Sequence, residues 1–400
     1  MNMEKKVPDI RFNGFDEEWN GRCLGSLCLI GDIDHRMPES KTTGIPYLMT
    51  GDFCGINGLD FKNAKLISIE DYEQLSKKIK PEYGDILFAR YASVGSVRYV
   101  ETKINFLISY SCAILKTSNT SYGKFLFYFF QTNNTQKKIE LDINTGSQRN
   151  IGIDSLKNLM VFLPKSEEQI FIGNYLQKLD NLINQHQQKY DKLSNIKKAM
   201  LEKMFPKQGK TIPEIRFKGF NGNWDEIELG KEVTFINGRA YSQEELQDKG
   251  KYKILRVGNF YTNSSWYYSD MELGDKYYTD YGDLLYTWSA SFGPHIWYGD
   301  KVIYHYHIWK LELSENIEKS FLLHLLDYDK AKILSGSNGS TMIHITKSAM
   351  EAKKVFIPKK DEQAAIGNYF QKLDALINQH QQQITKLNNI KQACLSKMFV

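Results

Sequence analysis

One stretch of this chain occurs twice. EQIFIGNYLQKLDNLINQHQQKYDKLSNIKKAMLEKMF runs from Glu168 to Phe205, and EQAAIGNYFQKLDALINQHQQQITKLNNIKQACLSKMF runs from Glu362 to Phe399, 194 positions later, with 27 identities in 38 positions. The segments in front of the two copies differ strongly. A shorter repeat opens each of them: PDIRFNGFDEEW from Pro8 and PEIRFKGFNGNW from Pro213, each followed by a Leu-Gly pair, Leu24-Gly25 and Leu229-Gly230. The chain reads as opening motif, module, strut, and then the same again. Two copies are too few for a solenoid, so an internal pseudo-two-fold is expected.

The struts read as helices. Leu176, Leu179, Ile183, His186, Tyr190, Leu193, Lys197, Met200 and Met204 recur at spacings of three and four, as do their counterparts Phe370, Leu373, Ile377, His380, Ile384, Leu387, Lys391, Cys394 and Met398. Neither strut contains proline, and Pro206 ends the first. About 38 helical residues span roughly 57 Å. So narrow an apolar stripe must pack on something, and the expected partner is the other strut, antiparallel. The residues expected at that interface are Leu176, Leu179, Ile183, His186 and Leu193 on one helix, and Phe370, Leu373, Ile377, His380 and Leu387 on the other. His186 and His380 stand at equivalent places, either as partly solvated histidines or as a polar layer that fixes register.

The modules read as mixed α/β (α+β). Strands are expected at Ile45–Met49, Asp85–Ala89, Ser96–Val100 and Cys112–Lys116 in the first, and at Tyr252–Val257, Asp283–Thr287, His295–Tyr298 and His307–Leu311 in the second. Helices are expected over Tyr122–Ile139 and Lys319–Leu334. Each helix is followed by a Gly-Ser loop, TGSQRNI from Thr145 and NGSTMIHI from Asn338. The expected boundaries are a first module at 1–165, a long helix at 166–206, a second module at 207–359 and a final long helix at 360–400. The fold class is thus two mixed α/β domains related by a pseudo-two-fold and joined by an antiparallel coiled coil.

Composition narrows the setting more than the activity. A net charge of +5 over 400 residues permits a polyanionic partner without demanding one. The start MNMEKKVPDIRF has no apolar core of a signal peptide, and no run of 18 apolar residues suggests a membrane span. Five cysteines with no CxxC pair suggest neither a disulfide framework nor a zinc site. A reducing cytoplasm fits. No two of the nine prolines are adjacent, so the PPY core of an amino-methyltransferase is absent. Gly209-Lys210-Thr211 has the ending of a phosphate loop, but Met204 stands where its first glycine is required. His305 and His307 in YHYHIWK would share one face of a strand, as polar side chains on the strand surface sooner than as a metal pair.

Two loop pairs carry more. GDILFARYASVGSVRYV presents Arg90, Tyr91, Ser93, Ser96 and Arg98, and its counterpart GDLLYTWSASFGPHIWY presents Trp288, Ser289, Ser291 and His295. The Gly-Ser loops add Ser147, Gln148, Arg149 and Asn150, and then Ser340, Thr341 and His344. Such side chains hydrogen-bond phosphates or base edges and stack. Each set alone reads as an ordinary surface turn. Their equivalent placement with exchanged side chains is what marks them: the frame repeats and the presented chemistry does not.

At these residues the chain resembles the DNA-specificity subunit of a type I restriction–modification system, over nearly its whole length. The signatures are PDIRFNGF and PEIRFKGF, GDILFAR and GDLLYTW, TGSQRNI and NGSTMIHI, and above all LPKSEEQIFIGNYLQKLDNLI and IPKKDEQAAIGNYFQKLDALI. The second Gly-Ser loop departs from the pattern in lacking Gln or Arg after Ser340. The resemblance implies a non-catalytic protein with two target-recognition domains. It would read a bipartite site on double-stranded DNA, with the spacer set by the helices. Two modification subunits would bring S-adenosylmethionine, and two motor-nuclease restriction subunits would bring ATP and Mg. This chain itself would bind no cofactor and no membrane. The other reading open to the sequence is a coiled-coil adapter binding ligands other than DNA.

Overall fold

The computed structural model describes residues 7–117, 122–146, 149–261, 263–289, 291–336 and 345–400. The chain forms two units, one of Met1–Gln187 with Gln381–Val400, the other of Gln188–His380. The divisions fall inside the two long helices, Ser166–Met204 and Lys360–Lys397. Each unit therefore holds one module and part of both helices.

The modules share a topology. In the first unit a four-stranded antiparallel sheet runs in the order Cys28–Gly31, Cys112–Thr117, Ile86–Ala89, Val97–Tyr99. In the second unit the order is Val233–Asn237, Ile308–Leu313, Leu284–Thr287, Gly293–Ile296. Alternation along the strands divides the core in two. Ile86, Phe88, Ala113 and Leu115 face the helix that begins at Gly123, whereas Leu87, Cys112 and Ile114 face a smaller sheet built on Ile45–Leu48. The second unit repeats the division, with Leu284, Tyr286, Trp309 and Leu311 on one side and Leu285 and Ile308 on the other.

Two expectations need correction. The single helix expected over Tyr122–Ile139 is two, Gly123–Phe129 and Asn133–Leu141. Thr132 makes the break: its hydroxyl donates to the carbonyl of Phe129 and accepts from the amide of Thr135, a side-chain cap that starts a new helix. The counterpart Lys319–Gly336 is continuous. His305 and His307 do not share a strand face. Tyr306 and His307 form a turn before the strand that begins at Ile308, and the two imidazole centroids lie 4.8 Å apart.

The long helices pair in opposite directions within each unit, as expected. In the first, Tyr175 meets Cys394, and Asp180 meets Lys391 at 2.7 Å. In the second, Lys197 meets Asp374 at 2.7 Å, the same ion pair one repeat on. Leu176, Leu179, Ile183, Phe370 and Leu373 are buried, while His186, Leu193, Ile377, His380 and Leu387 are half-buried. The settings of the two ion pairs differ. Asp180 accepts from the Tyr128 hydroxyl at 2.8 Å and Lys391 donates to Gln131 at 3.1 Å. In the second unit, His324 and Asp327 stand in place of Tyr128 and Gln131, and His324 lies 3.7 Å from Asp374.

The structure gives the repeated motifs their physical reason. Arg11 of the first opening motif grips Glu168 with two hydrogen bonds, 2.8 and 2.6 Å, and Arg216 grips Glu362 at 2.6 and 2.7 Å. Forked pairs of this kind fix orientation as well as charge. The adjacent Gln169 and Gln363 accept from the backbone amides of Tyr122 and Glu318 and donate to the carbonyls of Pro164 and Pro358. Ile10 donates its amide to Lys397 and Ile215 to Lys203, each at 2.9 Å, which occupies a carbonyl at the end of the other long helix. The shared Lys-Met-Phe endings then enter the modules. Phe399 packs on Trp19 and Phe125, and Phe205 packs on Trp224, Phe321 and Tyr328. Each opening motif thus fastens the start of one long helix to the end of the other.

Candidate nucleic-acid interface

In the first unit the strand Ile86–Ala89 delivers the loop that was singled out from sequence. Ala92 takes a left-handed backbone with φ 58°, and Gly95 follows with φ 89°. A Cβ on Gly95 would stand 2.5 Å from Gln136 Oε1, so helix Asn133–Leu141 backs this turn closely. Ser93 is exposed and Ser96 half-buried. Arg90 is buried, at 6% exposure. Its guanidinium donates to Asp32 and to the carbonyl of Ile151, and its own carbonyl accepts from the Ile151 amide. Arg90 thus braces the loop from inside, rather than presenting its charge at the surface as the sequence suggested. Arg98 also braces: it donates to the carbonyls of Gly55 and Gly58 and covers the Phe53 ring at 4.8 Å. Burial lowers its pKa.

The Gly-Ser loop lies against the same place. Asn150 bridges to Tyr91 and to Asn144. Arg149 is exposed and pairs with Glu140 across the surface, a contact of little stability that a phosphate or base could replace. Ser147 and Gln148 lie outside the described residues, as do Ser340, Thr341 and His344 of the second loop.

Sequence reasoning missed the hub of the site. Asp32, 8% exposed, receives Arg90, Lys78 at 3.1 Å and His35 Nε2 at 3.3 Å. Burial pushes its carboxyl up, but the hydrogen bonds from Lys78 and His35 and the charge of Arg90 outweigh this and hold it below the usual range. His35 stacks on Tyr110 at 4.6 Å and 20°, and Tyr91 meets Tyr110 edge-on. The available signal was a polar GDIDHR stretch directly after a strand.

The second unit builds the equivalent place from rings. Trp288 donates its indole N–H to the carbonyl of Tyr306 at 2.8 Å, stacks on Trp309 and meets His307 edge-on at 4.9 Å. Tyr241 lies parallel to His305, with Arg239 over its face. His295 stacks on Phe260 at 4.2 Å, with its Nε2 3.3 Å from the Tyr261 hydroxyl. Ser289 is half-buried and Ser291 exposed. Among the described residues no group of His, Cys, Asp or Glu could hold a metal ion, and no helix is long and apolar enough to cross a membrane.

Burial also makes this unit acid-sensitive. It pushes His295 and His305 down to about 4 and the fully buried His324 to about 3, with repulsion from Lys330, from His307 and Arg256, and from Lys197 added in turn. An unfolded histidine titrates near 6.5. Between those values only the unfolded state takes the proton, so stability present above pH 6.5 falls as pH drops toward 4. Acidification from pH 7 to about 5 is expected to loosen the second unit before the first. His324 alone contributes about 1.4 kcal/mol per pH unit. Hydrogen exchange at pH 7, 6 and 5 checks the order, and earlier opening of the first unit would contradict it.

Comparison with known proteins places this arrangement. The sequence profile described as "Type I restriction modification DNA specificity domain" matches residues 16–195 and again 221–389. A Methanocaldococcus jannaschii protein assigned as the specificity subunit of the type I restriction enzyme MjaX is 27% identical over 360 residues, 84% of this chain and 82% of that protein. The MjaVIII specificity subunit of the same organism is 23% identical over 61% of this chain and 62% of its own length. Among solved structures, the S subunit of a type I restriction–modification system from M. genitalium superposes over 98% of this chain and 99% of its own, with a TM-score of 0.67 at 18% identity.

Proposed function

Because this chain belongs to the family of type I restriction modification DNA specificity domains, we propose that each of its two units reads one half of a bipartite DNA site through the loops at the end of its four-stranded sheet. The chain is the non-catalytic specificity subunit of such a system. One observation carries the assignment of the reading surface. Equivalent turns on a repeated frame hold Arg90, Tyr91 and Tyr110 in one unit and Trp288, Ser289 and Tyr306 in the other, with Arg149 and His35 beside the first set and His295 beside the second. Conserved architecture with exchanged surface chemistry is what two readers of different sequences require. The remaining candidates, Ser93, Asn150 and Ser291, belong to the same loops. The complete system assembles in the cytoplasm from this chain, two modification subunits and two restriction subunits. S-adenosylmethionine, ATP and Mg act on those partners.

Two outcomes follow. Arg149→Ala is expected to relax or weaken one half-site by about 1–3 kcal/mol and leave the other unchanged. Gel shifts of the assembled complex on DNA with two variable half-sites measure this, and a uniform loss over all sequences would mark Arg149 as a phosphate contact instead. Deleting four residues from each long helix removes about 6 Å of helix, comparable to two base-pair rises of about 3.4 Å. The spacer between half-sites is expected to shorten by one or two base pairs. An unchanged spacer would remove the helices as its ruler.

A further inference from the structure

Two ring pairs sit at equivalent places, and neither was singled out as a reading site from the sequence. His35 on Tyr110 follows the first edge strand and the turn before Cys112, and Tyr241 on His305 follows the same elements in the second unit, with Tyr306 in the place of Tyr110. The chemistry of the first pair is specific. The His35 side chain is 59% exposed, yet it is fixed twice, by its stack on Tyr110 and by the 3.3 Å contact of Nε2 with the buried carboxylate of Asp32. Such restraint costs an exposed side chain rotamer freedom that a partly exposed ion pair repays only weakly. Its benefit lies in binding, because a side chain ordered in advance loses little entropy on contact.

We propose that His35 is a base-contacting residue of one half-site, with Asp32 as its positioning residue, and that Tyr306 contacts bases of the other half-site from the place that Tyr110 holds in the first unit. This rests on the function proposed above and names the atoms that carry it. With Nε2–H donating to Asp32, a neutral ring has Nδ1 as an acceptor. In a major groove the partner of such an acceptor is the exocyclic amine of adenine or cytosine. Asp32 also holds Arg90, so one carboxylate sets both the ring and the neighbouring loop. Tyr306, 37% exposed and packed against His305 and His307, offers a ring face and a hydroxyl instead. The tyrosine is common to both places and the exposed imidazole of His35 stacked on it belongs to the first unit, which is how the two half-sites would differ.

The test uses the full chain together with modification subunits of its system, expressed in cells without other DNA methylation, and reads the methylated motif across the genome. His35→Ala is expected to relax one base position of one half-site by about ten-fold, with the other half-site and the spacer intact. Asp32→Asn is expected to relax the same half-site, and Tyr306→Ala only the other one. His35 is exposed enough that its removal leaves folding intact, so its result decides. A motif identical to that of the unaltered chain, or an equal loss over both half-sites, would overturn the proposal. An unaltered chain that yields no bipartite motif would instead remove the function on which it rests.

Discussion

Phe205→Ala is expected to unfold the second unit selectively, at a cost of about 3–5 kcal/mol. Phe205 is fully buried, in contact with Phe321, Tyr328, Phe370 and Trp224 at centroid distances of 5.3 to 6.3 Å. Truncation removes a ring from the middle of an aromatic cluster in which Phe321, Tyr328 and Phe370 are held by helices and Trp224 stands directly before a strand, so the space does not close. The repeat supplies the control. Phe399→Ala removes the corresponding ring from the first unit, where it touches Trp19 and Phe125 and is 8% exposed, so a smaller loss is expected there. Hydrogen exchange resolved by segment reads both variants. Equal loosening of both units by either one would show that the helix endings do not serve as separate plugs.

Glu168→Ala is the second change of large effect. Its side chain is 1% exposed and takes both hydrogen bonds of the Arg11 fork. Without it, a guanidinium only 11% exposed keeps the carbonyl of Glu17 and the nearby charges of Asp16 and Glu17 but loses its forked partner beside the helix start. Breaking a buried pair from one side costs about 3–5 kcal/mol, whereas replacing both partners by apolar residues is often close to neutral. The double variant Arg11→Met, Glu168→Leu is therefore expected to recover most of the loss. If the double variant melts no higher than Glu168→Ala, the pair does not hold the opening motif through its charge. Glu362 and Arg216 give the same comparison in the second unit.

The sequence carried the frame because the frame is repeated and periodic. The helices were legible from their spacing, and their opposed pairing from the order of modules and struts. Most sheet strands were legible because their apolar runs are bounded by turn residues. Elsewhere a single local group decided the outcome, as Thr132 did in breaking a helix that apolar content alone would continue. The loops proposed as the reading site were legible as turns, and less so in which side chains they expose. Arg90 looks like a surface cation in sequence, yet a carboxylate 58 positions away draws it inside. His35 and Tyr110 lie far apart in the chain and become a pair only when two strands end side by side. Their signal is tertiary, and the pattern of one strand does not contain it.

The function proposed above requires one repeated scaffold to carry two independent readers. Sequencing the methylated motif in cells that express this chain with its modification subunits tests it most directly. Two short, unlike half-sites separated by a spacer of fixed length and free sequence are predicted. A continuous motif, a single half-site, or methylation with no sequence preference would contradict it.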